Sequence, residues 1–208
     1  MKISLTNAGK RYNRDWIFRN ISYQFNTGHS YAITGSNGSG KSTLLQAIGG
    51  ALVLTEGTVS YQTPAAPDKM LEPDLAYLHL SIAAPYLELI EEMTATELLE
   101  FHRQFKPFIS GFHTAQILSI VGLEKAAHKQ IRYYSSGMKQ RVKLAQAIFS
   151  DVSLILLDEP CTNLDKEGIA LYQQLIQEYC GNRMVIVSSN DLAEYGFCQE
   201  IIRMSDYK

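Results

Sequence analysis

Short runs in which apolar and polar residues alternate fill the first part of the chain: "KISLT" from Lys2, "WIFRNISYQF" from Trp16 and, after the turn residues Asn26 to Gly28, "HSYAIT" from His29. A period of two marks strands buried on one face, so these runs predict antiparallel strands leading into a more buried one. At Gly35 the period changes. "GSNGSGKSTLLQAIGG" is a glycine-rich loop followed by a helix that turns Leu44, Leu45 and Ile48 toward a core and closes at Gly49 and Gly50. "GTVSYQ" returns to strand, the proline-containing "TPAAPDKMLEPD" reads as an exposed connection, and "LAYLHL" predicts a further strand.

From Thr94 to Gly122 the period is helical, in "TATELLEFHRQF" and "FHTAQILSIVG", with Pro107 and Gly111 between the two helices. Phe101, Phe105, Phe108 and Phe112 are read as the core of this helical lobe in preference to a docking surface. A third helix, "MKQRVKLAQAIFS", precedes "VSLILLDEP", a continuous apolar run of the kind a central parallel strand has. Helix "KEGIALYQQLIQEYC", strand "MVIVSS", short helix "DLAEYG" and strand "EIIRM" complete the chain. Alternating helices and strands predict an α/β core with a parallel sheet.

The 208 residues fit one domain, or one core with a lobe. With a net charge of −2 and Lys and Arg scattered along the chain, nothing argues for a nucleic-acid surface. Cys161, Cys180 and Cys198 are odd in number, far apart and without a CxxC pair, which suits reduced, buried or half-buried thiols of a cytosolic protein. The N-terminal "MKISLTNAGKRY" lacks the apolar core of a signal peptide, and no run approaches the ~20 apolar residues that span a bilayer. Any membrane part would come from another chain.

Two stretches carry chemistry. "GSNGSGKS", Gly35 to Ser42, fits G-x-x-x-x-G-K-[ST] between an apolar strand and an apolar-faced helix, as a phosphate-binding loop requires. Gly35, Gly38 and Gly40 let the backbone curl so that N–H groups point inward at phosphate oxygens, and the helix N-terminus adds about half a positive charge. Lys41 is placed for the β- and γ-phosphates and Ser42 for Mg²⁺. In "LILLDEP", Asp158 ends a buried strand, where a carboxylate is costly unless it meets a cation such as that Mg²⁺. Glu159, one residue beyond, is placed to orient a water attacking the γ-phosphate.

"GSNGSGKST", then "YSSGMKQR", "LILLDEP" and "TNLD", in this order and spacing, resemble the nucleotide-binding subunit of an ATP-binding-cassette (ABC) transporter over nearly the whole chain. "YSSGM" is similar to the family signature, usually LSGGQ: Ser135 and Gly137 match, while Tyr134, Ser136 and Met138 depart from it. The departures keep a small hydroxyl and N–H groups at a helix start, a second anion site. The resemblance implies one ABC ATPase domain over residues 1–208, with 1–93 and 150–208 as the ATP-binding core with its β subdomain and 94–149 as the helical lobe that carries the signature. It implies ATP and Mg²⁺ as ligands, the nucleotide held by Gly35, Ser36, Asn37, Gly38, Ser39, Gly40, Lys41, Ser42 and Thr43, and by Ser135, Gly137 and Met138 of a second subunit across a head-to-tail dimer. That dimer would be homo- or heteromeric, with Asp165 of "TNLD" crossing the interface and Tyr12 stacking on the adenine. It further implies a separate transmembrane permease subunit and a peripheral place on the inner face of the cell membrane.

Two parts of the pattern are changed. Where the family has a histidine on the γ-phosphate, at the end of "MVIVSS", this chain has Asn190, and its five histidines lie upstream of the signature. An asparagine amide donates a hydrogen bond but carries no charge and relays no proton at neutral pH. Where the family has a glutamine after the strand compared with "LAYLHL", there is none between Gln62 and Gln104, which leaves His79, Ser81 and Glu88 as candidates. Loss of one preorganised contact costs about 10²- to 10³-fold in rate, so slow hydrolysis by Glu159, Lys41 and Asn190 is expected, with ATP binding kept. The alternative is a nucleotide-dependent regulatory or assembly module in which binding is the output. The wording "ITGSNGSGKSTLL" also resembles the ATPase of haem export in cytochrome c maturation. The tandem-cassette translation factors and the coiled-coil DNA-repair ATPases differ in architecture. Export or a mechanical role is favoured over import, because no regulatory domain follows Lys208.

Overall fold

The computed structural model describes residues 1–63 and 66–208. In chain order the elements are β1 (Lys2–Tyr12), β2 (Asp15–Asn26), β3 (Ser30–Thr34), α1 (Lys41–Ile48), β4 (Glu56–Thr63), β5 (Ala66–Leu71) and β6 (Leu80–Ala83). The second half contains α2 (Ala95–Phe105), α3 (Thr114–Ile120), α4 (Ser136–Phe149), β7 (Leu154–Asp158), α5 (Lys166–Tyr179), β8 (Met184–Ser188), α6 (Leu192–Tyr195) and β9 (Glu200–Arg203). They form an antiparallel sheet in the order β2-β1-β4-β5 and a parallel sheet in the order β6-β7-β8-β3-β9. The expected α/β core with an N-terminal antiparallel sheet is therefore present.

Alternation along the central strands divides the interior in two. Leu154 and Leu156 of β7 and Met184 and Ile186 of β8 face the antiparallel sheet and α1, where they join Ile3, Phe25, Tyr31, Leu44 and Tyr61. Ile155 and Leu157, with Val185 and Val187, face the helical side and pack with Leu99, Val142, Phe149 and Tyr172. A strand buried on both faces has to be apolar throughout, which is why "LILL" and "MVIV" show no polar positions. The helical lobe starts at a capping box: the Thr94 hydroxyl accepts from the Glu97 N–H, and the Glu97 carboxylate accepts from the Thr94 N–H.

Three local expectations are corrected. "LAYLHL" is no strand: Pro73–His79 forms a 3₁₀ helix, with Leu75, Tyr77 and Leu78 exposed and Ala76 buried, and the strand begins one step later at Leu80. Part of the expected connection, Ala66–Leu71, is the edge strand β5, paired with β4 through Tyr61 with Leu71 and Gln62 with Met70. Pro64 and Ala65 of that connection lie outside the described residues. Of the four phenylalanines read as lobe core, Phe108 is buried and Phe112 packs against the core, whereas Phe101 and Phe105 are 45% and 67% exposed. These two sit on the solvent side of α2 and stack edge to face on each other, ring centroids 5.1 Å apart.

Candidate nucleotide site

The strand order puts the chemistry at one end of the parallel sheet, where ligands of open α/β sheets bind. The glycine loop leaves β3, Asp158 ends β7, and the Ser188–Asp191 corner leaves β8, which lies between them. Asp158 is in register with Ser188, and the Ser189 N–H donates to the Ile33 carbonyl at 3.1 Å, so the three strand ends are tied together.

The loop is shaped for an anion. Gly40 adopts φ +101°, and a Cβ there would lie 2.4 Å from Cγ2 of Ile17, so only glycine fits between the loop and β2. Helix α1 follows with no side-chain cap and no acidic residue in its first turn, leaving its N–H groups and dipole to whatever enters. Ile17, Asn37, Gly38, Gly40, Lys41, Ser42, Thr43 and Glu159 line a cleft of about 240 Å³. Lys41 is buried and folds back over its own loop, Nζ donating to the Gly35 carbonyl at 2.9 Å. Ser36 and Asn37 are exposed at the tip, and Ser39 is buried beneath it.

Asp158 is 2% exposed. Among the described residues it enters no ion pair within 4.0 Å. Three buried side-chain atoms among the described residues have no hydrogen-bond partner: Ser39 Oγ, Asp158 Oδ1 and Ser188 Oγ. All three belong to this one corner. An unpaired buried carboxylate oxygen, one residue before the Glu159 that shares a cleft with Ser42, is a donor of the kind a hard cation such as Mg²⁺ takes. Glu159 is exposed and takes φ 43°, a left-handed conformation that costs a non-glycine residue about 1–3 kcal/mol; its N–H donates to the Ser188 carbonyl at 2.9 Å, which holds it there.

The polar corner divides its tasks residue by residue. The Asp191 carboxylate caps α6 by accepting from the Ala193 N–H at 2.9 Å, and the Ser189 hydroxyl accepts from the Asp191 N–H at 2.9 Å. Asn190 turns the other way: its Oδ1 accepts from the Gly35 N–H at 2.9 Å. The amide oxygen is thereby committed to the phosphate loop, and the side chain is exposed. Behind the corner, Glu194 is buried with Oε1 accepting from the Cys161 N–H at 2.7 Å, and burial raises its pKa above the ordinary carboxylate value.

The signature segment opens helix α4 on the helical lobe. The Ser135 hydroxyl caps α4, accepting from the Met138 N–H at 3.2 Å, and Tyr134 is buried with its hydroxyl donating to the Ala126 carbonyl at 2.6 Å. Ser135, Ser136, Gly137 and Met138 line a cleft of about 370 Å³ with Arg141, Asn163, Leu164 and Asp165. A Cβ on Gly137 would come within 3.0 Å of the Asn163 carbonyl oxygen. No residue is shared between this cleft and the one around the phosphate loop. Another cavity, about 530 Å³ beside Gly28, Arg183 and Phe197, contains none of these residues.

Comparison with known proteins places this arrangement. The family model described as "ABC transporter" matches residues 18–162, more than half of the chain. This chain belongs to the ABC transporter family, as an ATP-binding cassette ATPase. Over 190 residues it is 32% identical to the ABC transporter ATP-binding protein YybJ of Bacillus subtilis (strain 168), covering 90% of this chain and 85% of the relative. It is 30% identical to the cytochrome c biogenesis ATP-binding export protein CcmA of Agrobacterium fabrum (strain C58 / ATCC 33970), covering 91% of this chain and 88% of CcmA. Among solved structures, the ATP-binding cassette MJ0796, dimeric in a post-hydrolysis state with ADP and Pi, superposes with a TM-score of 0.80 at 26% identity, covering 97% of this chain and 93% of that one.

The remaining candidates divide between the site and its surroundings. Tyr12 is 47% exposed at the end of β1, in the hairpin whose Ile17 meets Gly40, and does not line the phosphate cleft. The residues considered for the missing glutamine have surroundings of their own. His79 ends the 3₁₀ helix, Ser81 is buried with its hydroxyl on the Ala147 carbonyl at 2.6 Å, and Glu88 lies in a groove with Lys143. Tyr86, in the turn after β6, is half-exposed; burial raises the pKa of its phenol, the Gln46 side chain opposes and the Asp158 charge adds to the rise. Ile17, Gln46 and Tyr86 were not marked by any sequence motif. The thiols of Cys161, Cys180 and Cys198 are free, and burial pushes them up to about 12, 11 and 12. Among the described residues no helix is long and apolar enough to cross a membrane.

Proposed function

We propose that this cassette binds Mg-ATP between two subunits and, by closing and opening that pair, drives a separate membrane subunit on whose cytoplasmic face it sits. The observation that carries this reading is the pair of anion clefts on one chain with no shared residue. A phosphate cradle without a lid and a lid without a cradle are complementary across a head-to-tail pair and incomplete alone.

In this reading the loop amides of Gly35 to Thr43 and the Lys41 ammonium hold the β- and γ-phosphates, and Lys41 exchanges its carbonyl partners for phosphate oxygens. Ser42 and Asp158 hold Mg²⁺, which supplies charge neutralisation at the phosphates. The Asn190 amide donates to a γ-phosphate oxygen, its orientation fixed by Gly35. Glu159 orients water and takes its proton as the water oxygen bonds the γ-phosphorus and the bond to the β-phosphate oxygen breaks, giving ADP and phosphate. Ser135, Gly137 and Met138 of the partner cassette close over the γ-phosphate, and Tyr12 stacks on the adenine. Turnover is slow, because an uncharged amide occupies the position of the family's histidine.

The outer face of the helical lobe supports docking of a membrane subunit. Phe101, Phe105 and Tyr77 are exposed apolar side chains, and Lys106, which follows Phe105 and lines a groove with Glu88 and Lys143, donates from Nζ to the Tyr77 carbonyl at 3.0 Å. A second reading, nucleotide binding as a switch with turnover incidental, is favoured by Asn190 and opposed by Glu159, since a switch has less need of that carboxylate. The reading is tested with Glu159→Gln, which keeps the water position and removes the base. With saturating Mg-ATP this variant doubles its mass on gel filtration, and a variant that stays monomeric at tens of micromolar protein contradicts the shared site.

A further inference from the structure

One peptide group next to Glu159 is held at both of its polar ends by buried side chains. The Pro160 carbonyl accepts from Nε2 of Gln140 at 2.7 Å, and the Cys161 N–H, across the same peptide bond, donates to Oε1 of Glu194 at 2.7 Å. Gln140 is 3% and Glu194 5% exposed. Gln140 belongs to α4 and Glu194 to α6, so two elements distant in sequence close on one peptide plane. Neither side chain has a part in binding the nucleotide as read above.

The clamped peptide is the middle of a turn that begins at Glu159. The Thr162 N–H donates to the Glu159 carbonyl at 3.1 Å, with Pro160 and Cys161 between them. Turns of this kind have two forms that differ by reversal of the central peptide, and proline at the second position suits both. Here Cys161 has no positive φ, and the carbonyl and N–H of the central peptide point at Gln140 and Glu194; reversal would leave both buried side chains without these partners. Glu159 depends on the turn, because its φ of 43° persists in a non-glycine residue only where the surroundings over-determine it. Ser188 fixes the Glu159 N–H from one side at 2.9 Å, and the turn fixes its carbonyl from the other. The anchor on the α6 side is itself secured: the Glu194 carbonyl accepts from the hydroxyl of fully buried Tyr172 at 2.7 Å. Glu159, Cys161, Asn190 and Glu194 line one cleft of about 360 Å³.

We propose that Gln140 and Glu194 are positioning residues for hydrolysis, which clamp the Pro160–Cys161 peptide and thereby hold Glu159 in the left-handed conformation that aims its carboxylate at the attacking water. The inference rests on the role given to Glu159 above. It adds a division of labour: the phosphate loop holds the nucleotide, and the clamp sets the base, so loss of the clamp acts on turnover and leaves binding in place.

The test is steady-state Mg-ATP hydrolysis by the full chain at a protein concentration where the rate per molecule no longer rises, with Lys41→Ala as the blank. Glu194→Met and Gln140→Met nearly keep the volume of each side chain and remove its hydrogen-bonding atoms. Each lowers kcat by about tenfold, the worth of one lost hydrogen bond, and leaves KM for ATP within about twofold. Glu194→Gln keeps an acceptor for the Cys161 N–H and stays within about threefold of the wild-type kcat. The double methionine variant falls to about the level of the slower single one, because both side chains hold the same peptide. Where a methionine variant does not fold, Glu194→Asp and Gln140→Asn, each one methylene short of the peptide, give the same loss of kcat at unchanged KM. Wild-type kcat in the folded variants overturns the proposal, as does a Glu194→Gln rate as low as that of Glu194→Met, a KM that rises in step with the lost kcat, or losses that multiply in the double variant. A wild type no faster than the blank overturns the reading of Glu159, and this inference with it.

Discussion

Replacing Asp158 with asparagine should stabilise the ligand-free protein while removing most of the stabilisation that Mg-ATP provides. The side chain is 2% exposed, Oδ1 has no hydrogen-bond partner, and no cation among the described residues lies within 4.0 Å. Leaving a buried acceptor unpaired costs about 1–3 kcal/mol, and a charge costs more. An amide keeps the shape and removes the charge but brings N–H donors that need partners of their own, so a net gain of about 1–2 kcal/mol is expected. For a chain of this size that corresponds to a melting temperature higher by about 2–8 °C. Mg-ATP at a thousand times its dissociation constant stabilises the wild type by about 4 kcal/mol. A variant that binds about a hundredfold more weakly gains only about 1.4 kcal/mol at the same concentration, so its lead reverses. The assay is a thermal melt of both proteins, with and without Mg-ATP. An Asp158→Asn protein that melts lower than the wild type without ligand, or gains as much from Mg-ATP, refutes the reasoning that this carboxylate is kept unpaired for a metal.

The corner after β8 yields two further outcomes. Asn190→Asp keeps the acceptor for the Gly35 N–H but places a negative oxygen where the amide donors stood, so ATP should bind at least tenfold more weakly while ADP changes by less than about twofold, as read by calorimetry. Glu194 has its pKa raised by burial, so its neutral form is the one the fold prefers: its contribution is full below the ordinary value of 4.5 and is lost as pH rises through the raised value. Glu194→Gln lacks that loss, so melting curves from pH 4 to 8 should show the variant gaining on the wild type as pH increases; a difference independent of pH would count against it.

Where a segment's structure depends on its own residues, the sequence was a good guide. The glycine loop, its strand and α1 follow from a local change of period, and β7 and β8 follow from short apolar runs that only a doubly covered strand can bear. The errors arose where the pattern has two solutions. Leu75 to Leu78 form an apolar run as a buried strand would, yet Pro73 at the start of a 3₁₀ turn leaves Leu75, Tyr77 and Leu78 outside. The segment of β5 has a proline and the charges of a loop, which an edge strand tolerates equally well. Phe101 and Phe105 follow helical spacing but extend beyond the face that α2 buries through Ala95, Leu98 and Leu99.

The candidate site shows the same division. Gly35 to Ser42 and the Asp158–Glu159 pair are contiguous and were legible as chemistry. The contact between Asn190 and Gly35 exists because β8 lies beside β3, and the turn that carries Tyr86 starts beside the end of β7 because β6 lies beside β7. Strand order is a long-range property, so no window of sequence around residue 86 or 190 contains it. The buried Tyr134 at the first signature position is also explained only by the fold, through its bond to the Ala126 carbonyl.

The central claim is that one chain holds half of each catalytic site. It is tested most directly by the steady-state ATPase rate per molecule as protein concentration is raised, with Lys41→Ala as the blank. The account predicts a rate that climbs with concentration toward a plateau and vanishes in the blank. A blank-corrected rate per molecule that is the same at every concentration from well below micromolar upward would contradict it, because a site complete within one cassette needs no partner.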